Sequence, residues 1–119
     1  MKDNVIKNKS FDFALQIIKL NQYLCEEKKE FVLSKQVLRS GTSIGALIRE
    51  AEQAESHPDF IHKLSISLKE ANETDYWIEL LFRSGYIDFL QYNSICTDIR
   101  EILRLLTSIV KTSKSKRND

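Results

Sequence analysis

The segment from Arg39 to Phe82 constrains the fold most, because it contains two long helical patterns with one turn signal between them. The signal is SHPD at positions 56–59, in which Ser56 can cap the amide of Asp59 and Pro58 fits the first helical turn. Only 3 Gly and 1 Pro occur in 119 residues. With so few turn-forming residues, the sequence predicts a few long helices rather than many short strands.

Apolar residues recur at helical spacing in four segments, which predicts helices over residues 10–28, 31–54, 56–84 and 88–112. In the first segment Phe11, Ala14 and Ile18 are expected to widen the buried stripe. Gly85 is expected to end the third helix in a left-handed conformation. The predicted core consists of Phe13, Ile17, Leu20, Leu24, Leu33, Val37, Ile44, Ile48, Ala51, Ile61, Leu64, Leu68, Ala71, Ile78, Phe82, Ile95, Ile99, Ile102, Leu106 and Ile109, with Leu103 and Val110 beside them.

Connections of only a few residues place sequential helices side by side in opposite directions. The sequence therefore predicts an all-α, antiparallel up-down-up-down four-helix bundle. We assign residues 1–112 to this single domain and residues 113–119 to a flexible basic tail.

Composition narrows the classes of function. The net charge of +1 gives no overall attraction to nucleic acid. No apolar run approaches the ~18 residues that span a bilayer, and the first residues lack the apolar core of a signal peptide. Together with Cys25 and Cys96, for which buried reduced thiols are favoured over a disulfide, this predicts a cytoplasmic protein without a membrane partner.

The glycines of the second helix carry a motif with two interpretations. Gly41-Thr-Ser43-Ile-Gly45 matches the G-x-S-x-G elbow of hydrolases, which works only on a strand-to-helix turn above a parallel sheet. Here the motif lies within a helical period. We therefore interpret Gly41 and Gly45 as small residues, one turn apart, that let a neighbouring backbone approach closely, and we predict no catalytic residues.

Carboxylates in a four-helix protein also suggest a di-metal site. Such sites use a Glu from each of two helices and a Glu-x-x-His from each of the other two. This chain offers Glu50, Glu70 and Glu73, but only one related pair, Asp59 and His62. The ligand set is incomplete, so we expect no metal, no other cofactor and no small-molecule substrate.

Glu70, Glu73 and Trp77 share one patch of the third helix, because they are three and four residues apart. Trp77 and Leu81 are expected to flank the core. One interpretation is an amphipathic boundary with Glu70 paired to a cation. The other is a contact surface for another subunit or protein, formed by Trp77 with Tyr76 and Leu80 or Leu81; we group Gly41, Gly45 and Glu50 with it as helix-packing or interface residues.

A basic stripe runs along the last helix into the tail. Arg100, Arg104 and Lys111 fall on one side, followed by Lys114, Lys116 and Arg117. These residues are the candidate weak contacts to RNA or DNA phosphates. The alternative is a solvated helix face, because Asp98 and Glu101 interrupt the stripe and no aromatic residues interleave with it.

The chain resembles a bacterial four-helix-bundle family linked to 23S ribosomal RNA intervening sequences, which is related to the accessory variability determinant protein of diversity-generating retroelements. The resemblance runs from Phe11 to Val110 and is densest at SIGA (43–46), REA (49–51), DFIHKLSISLKEA (59–71) and the residues Glu73, Thr74, Tyr76 and Trp77. The chain departs from it at Leu47, where many members carry Asn, and in being nearly neutral where the retroelement relative is strongly basic.

The resemblance implies a homopentameric ring without enzymatic activity. For the retroelement relative it implies a basic surface for nucleic acid and a reverse transcriptase partner. We therefore predict a non-enzymatic scaffold or adaptor with weak RNA or DNA binding. The alternative is a protein-interaction module that binds a partner, such as a reverse transcriptase, through Glu70–Trp77 without contacting nucleic acid.

Overall fold

The computed structural model describes residues 4–117, and these form four helices joined by short loops. The helices are α1 (Asn4–Glu26), α2 (Leu33–Glu52), α3 (His57–Arg83) and α4 (Phe89–Arg117). No strand occurs within this range. The predicted all-α class and the number of helices are therefore confirmed.

Polar contacts show which helix ends lie together. Lys7 near the start of α1 pairs with Glu52 at the end of α2, at 3.0 Å. At the other end of these helices, Asn21 donates to the carbonyl of Ser34, at 3.1 Å. Helix α3 contacts α2 and α4, and α4 also contacts α1, whereas the diagonal pairs make no close backbone contact in the described chain. The four helices thus surround one core.

The core is largely the one that the apolar pattern predicts. Phe13, Ile17, Leu24, Ile44 and Ile99 are almost completely buried, and most other predicted positions are buried or half-buried beside them. Several small polar residues share this interior. Thr74 Oγ1, for example, lies 2.9 Å from Ser40 Oγ across the α2–α3 interface. Such small side chains let the two helices approach each other closely.

Two predictions about side-chain placement are wrong. Leu81 does not flank the core but lies in it, 0% exposed, because it follows Ile78 by one turn on the same face. Phe11 and Ile18 do not extend the buried stripe, since their side chains are 49% and 40% exposed. The stripe of α1 instead continues through Ser10 and Ile6, and Phe11 is rotated away from it.

Helices α1 and α4 both extend beyond their predicted ends. Helix α1 begins at Asn4 and buries Ile6, which is 1% exposed. Helix α4 continues past Thr112 to Arg117, and it buries Ser113 within the segment that the sequence assigns to the tail. The last two residues lie outside the described range.

The predicted signals at the two ends of α3 are confirmed. Ser56 caps the helix by accepting a hydrogen bond from the amide of Asp59, at 3.2 Å, with Pro58 in the first turn. At the other end Gly85 adopts φ +87°, in the left-handed region that glycine favours. These two signals fix where α3 begins and ends.

Candidate interaction surfaces

A shallow apolar groove lies between α1 and α2. It has a volume of about 320 Å³. Gly45 keeps it open, because a Cβ atom at this position would lie only 3.3 Å from Ser10 Oγ and would fill the floor. We call it the α1–α2 groove, and it is lined by Lys7, Ser10, Phe11, Ala14, Ile18, Thr42, Gly45, Ala46 and Arg49.

Positive charge borders the α1–α2 groove. The Arg49 guanidinium lies over the Phe11 ring, 5.4 Å from its centroid, in cation–π geometry. No carboxylate of residues 4–117 lies within salt-bridge distance of Arg49, whereas Lys7 is paired with Glu52. Arg49 therefore offers its hydrogen-bond donors beside exposed apolar carbon.

Gly41 lies one turn before Gly45 and faces the same helix. A Cβ atom at Gly41 would come within 2.9 Å of both γ carbons of Ile17. Both glycines therefore mark the close approach of α1 to α2. Gly41 serves internal packing, and only Gly45 reaches the surface of the groove.

A second surface, which we call the α3 face, consists of Glu70, Glu73, Tyr76, Trp77 and Leu80. Trp77 packs against the core and its Nε1 donates to Glu73 at 3.0 Å. Arg39 of α2 also binds Glu73, at 3.3 Å. Tyr76 contacts the Trp77 ring edge-on, at 5.0 Å between centroids, yet it is 59% exposed.

Glu70 and Glu50 differ in their partners. Glu70 has no cation within salt-bridge distance in the described part of the chain. The cation that would pair with Glu70 at an amphipathic boundary is therefore missing there. Glu50 binds Lys63 across the α2–α3 interface at 3.0 Å. The hydrogen bond and the charge of Glu50 raise the pKa of Lys63.

The basic stripe of α4 is divided into two parts. In the first part, Arg100 lies 3.8 Å from Asp75 of α3, and electrostatic interaction with Cys96 and with Asp75 raises its pKa. Arg104 is exposed and lies near Glu101, whose pKa it helps to lower after the larger effect of Lys9. Carboxylates therefore offset much of the charge of this part.

In the second part, Lys111, Lys114 and Lys116 are exposed on the last turns of α4. None of the three has a carboxylate partner among the described residues. The His57 ring holds this end of α4 against the start of α3, because its Nε2 donates to the Ser113 carbonyl at 2.9 Å. The side chain of Arg117, also predicted to bind phosphate, lies outside the described residues.

The G-x-S-x-G segment lies inside α2, where Ser43 Oγ donates to the carbonyl of Arg39 at 2.6 Å. Cys25 and Cys96 are free thiols, half-buried and buried respectively. Within residues 4–117 no three His, Cys, Asp or Glu side chains gather as a metal site would require. No helix in this range combines the length and the apolarity that crossing a membrane requires.

Sequence reasoning missed both the α1–α2 groove and the contact of His57 with α4. The groove was missed because Phe11 and Ile18 were counted as core. A one-residue offset from the Ile6–Ser10–Phe13 series is the signal that could have separated them. The contact of His57 carries no local signal, since its partner Ser113 is distant in the sequence.

Two comparisons relate the chain to known proteins. A family model described as 23S rRNA-intervening sequence protein matches residues 2–108. The chain is similar to a protein with unknown function from the S23 ribosomal protein family of Bacteroides thetaiotaomicron VPI-5482, whose crystal structure is solved at 1.70 Å resolution. The two are 64% identical with a TM-score of 0.91, over 93% of this chain and 99% of the other. No curated protein matches the sequence. Neither description names an enzymatic activity.

Proposed function

Because the chain belongs to the 23S rRNA-intervening sequence protein family, we propose that it is a non-enzymatic scaffold or adaptor that binds RNA or DNA weakly. In this proposal the four helices form an antiparallel up-down-up-down bundle, and five cytoplasmic copies assemble into a ring. The contacts at both ends of α1 and α2 support the antiparallel arrangement. The number of copies follows from the family resemblance.

The observation that carries the proposal is the set of lysines at the end of α4 that have no carboxylate partner among the described residues. Lys111, Lys114 and Lys116 project from a helix rather than from a free tail. Exposed ammonium groups without carboxylate partners bind phosphates and release the counterions of the nucleic acid. Three lysines make a weak site, and the neutral remainder of the chain adds no general attraction.

Assembly would raise the overall affinity that these weak sites give for a long RNA. A ring repeats the lysine cluster once per copy, so a long RNA can contact several clusters at once. After the first contact, the others form at a high effective concentration, which raises the overall affinity without any new type of contact. A chain with a net charge of +1 can thus act on nucleic acid as an assembly.

The test replaces Lys111, Lys114 and Lys116 with Ala and measures binding to single-stranded RNA over a range of salt concentrations. The expected result is weaker binding and a flatter dependence on salt, by about 0.7 in logarithmic slope for each lost phosphate contact. The matched control replaces Lys19, Lys28 and Lys35, which are also exposed and change the charge equally. No binding by the wild type at ~50 mM salt, or equal losses in both variants, would contradict the proposal.

The exposed Tyr76 favours a second candidate function, in which the α3 face binds a partner protein without nucleic acid. Such a partner would remain bound in a nuclease-treated lysate, and Tyr76→Glu would release it. A partner lost on nuclease treatment, or retained by the Tyr76→Glu variant, argues against this second function.

A further inference from the structure

We propose that the α1–α2 groove of one copy receives the α3 face of a second copy of this chain. The inference rests on the proposed assembly and specifies how neighbouring copies meet. The two surfaces lie on different helices. Each copy therefore contacts one neighbour through its groove and the other neighbour through its α3 face.

The groove is an apolar surface that no part of residues 4–117 covers. Phe11, Leu15 and Ile18 lie along one outer side of α1, and their side chains are 49%, 48% and 40% exposed. Ala46 of α2 is exposed beside them. A contiguous patch of this kind, with a charged residue at its rim, is typical of a contact surface rather than of solvated helix.

The size of the groove favours side chains over a small-molecule ligand. Its volume of about 320 Å³ is at the low end of the ~300–1,000 Å³ of ligand pockets, and it is open rather than enclosed. An aromatic ring and an aliphatic side chain from a neighbouring helix suit such a shape. Tyr76 and Leu80, one turn apart on α3, present that pair.

The charges of the two surfaces are complementary. The groove lining contains the cations Lys7 and Arg49 and no carboxylate. On the α3 face Glu73 is bound by Arg39 of α2, so Glu70 is the carboxylate of this face that has no cation partner among the described residues. Arg49 and Glu70 both lack an ion-pair partner within the described chain, so each is available to the other across a contact between copies.

The positions of the surfaces allow a closed ring. A ring of identical copies needs two different, complementary surfaces on each copy, because its contacts are head to tail. The groove is formed by α1 and by residues 42–49 of α2, whereas Tyr76 and Leu80 lie on α3, which makes no close backbone contact with α1 in the structure as described. One copy can therefore bind a neighbour on each surface without the two neighbours competing.

Three matched variants test the inference, each replacing an exposed neutral side chain with Glu. Ala46→Glu blocks the groove, since the new carboxylate fills it and pairs with Arg49 one turn away. Tyr76→Glu blocks the α3 face. Leu90→Glu is the control, because Leu90 is 78% exposed on the first turn of α4, outside both surfaces. Circular dichroism checks that all three keep their helices.

Sedimentation velocity then measures assembly. We expect the wild type and the Leu90→Glu variant to be oligomeric, and the two blocked variants to be monomeric. An equimolar mixture of the blocked variants should form dimers and nothing larger, because only one intact groove and one intact face remain to pair. A contact between like surfaces of two copies, groove with groove or face with face, would not produce this result.

The outcomes separate the inference from the proposed function. An oligomeric Ala46→Glu or Tyr76→Glu variant, a mixture that stays monomeric, or a monomeric Leu90→Glu variant overturns the pairing while leaving assembly intact. A monomeric wild type overturns the proposed ring and the pairing together.

Discussion

Gly41 and Gly45 occupy the same face of α2 but meet different neighbours on α1. The space at Gly41 is closed by the γ carbons of Ile17, which is fully buried and β-branched, so it has no room to change its rotamer. The space at Gly45 is bordered by the hydroxyl and backbone of Ser10, at 3.3 Å or more. The requirement for glycine is therefore stricter at Gly41.

We predict that Gly41→Ala lowers the free energy of unfolding by about 1–2 kcal/mol. Overpacking a tight core costs ~1–3 kcal/mol, and the better helix propensity of Ala returns at most ~1 kcal/mol. The control Gly45→Ala places its Cβ 3.3 Å from the Ser10 hydroxyl, a milder overlap than at Gly41, and should remain within about 1 kcal/mol of the wild type. Urea denaturation measures both variants. Equal stability of the two would show that the contact with Ile17 does not restrict position 41.

At the scale of the helices, the sequence predicts α2 and α3 to within two residues at each end but not the start of α1 or the end of α4. Ser10 and Ser113 take buried positions at those ends, and a search for apolar residues passes over them. The groove was likewise not predicted, because the exposed apolar residues Phe11 and Ile18 were assigned to the core. Hydrophobic periodicity finds helices well, but it does not say which of two adjacent apolar stripes is covered.

The α1–α4 interface depends on pH through one ion pair. Lys9 Nζ lies 2.8 Å from Glu101 Oε1, and this hydrogen bond is the largest cause of both the lowered pKa of Glu101 and the raised pKa of Lys9. A lowered carboxyl pKa contributes stability above the ordinary Glu value of about 4.3, and a raised amine pKa contributes it below about 10.4. The pair therefore stabilises the fold between these limits.

We predict that Glu101→Gln is less stable than the wild type at pH 7 and that the difference disappears as the pH falls through the pKa of Glu101. Urea denaturation at pH 7 and pH 3 measures the two differences. Lys9→Met should behave in the same way, and the double variant should lose no more than either single variant. A difference that persists at pH 3 would mean that Glu101 acts through packing instead of charge.

At the scale of the whole molecule, the α3 face and the lysines at the end of α4 lie far apart. Tyr76 follows His57 by about 28 Å along α3 at 1.5 Å per residue, and His57 contacts Ser113 beside the lysines of α4. This separation could not be read from the sequence, because it depends on which helix ends meet. It also means that one surface can be changed without touching the other.

We therefore predict that Tyr76→Glu weakens binding to a long RNA although it leaves every lysine in place. If several lysine clusters of a ring hold one RNA, separating the copies removes the gain from high effective concentration. The same variant should bind a short oligonucleotide, which reaches only one cluster, as the wild type does. Leu90→Glu adds the same charge and should bind both RNAs normally. Fluorescence anisotropy measures the affinity of each protein for each RNA, and equal binding of the long RNA by monomeric Tyr76→Glu and by the wild type would show that assembly plays no part in nucleic-acid binding.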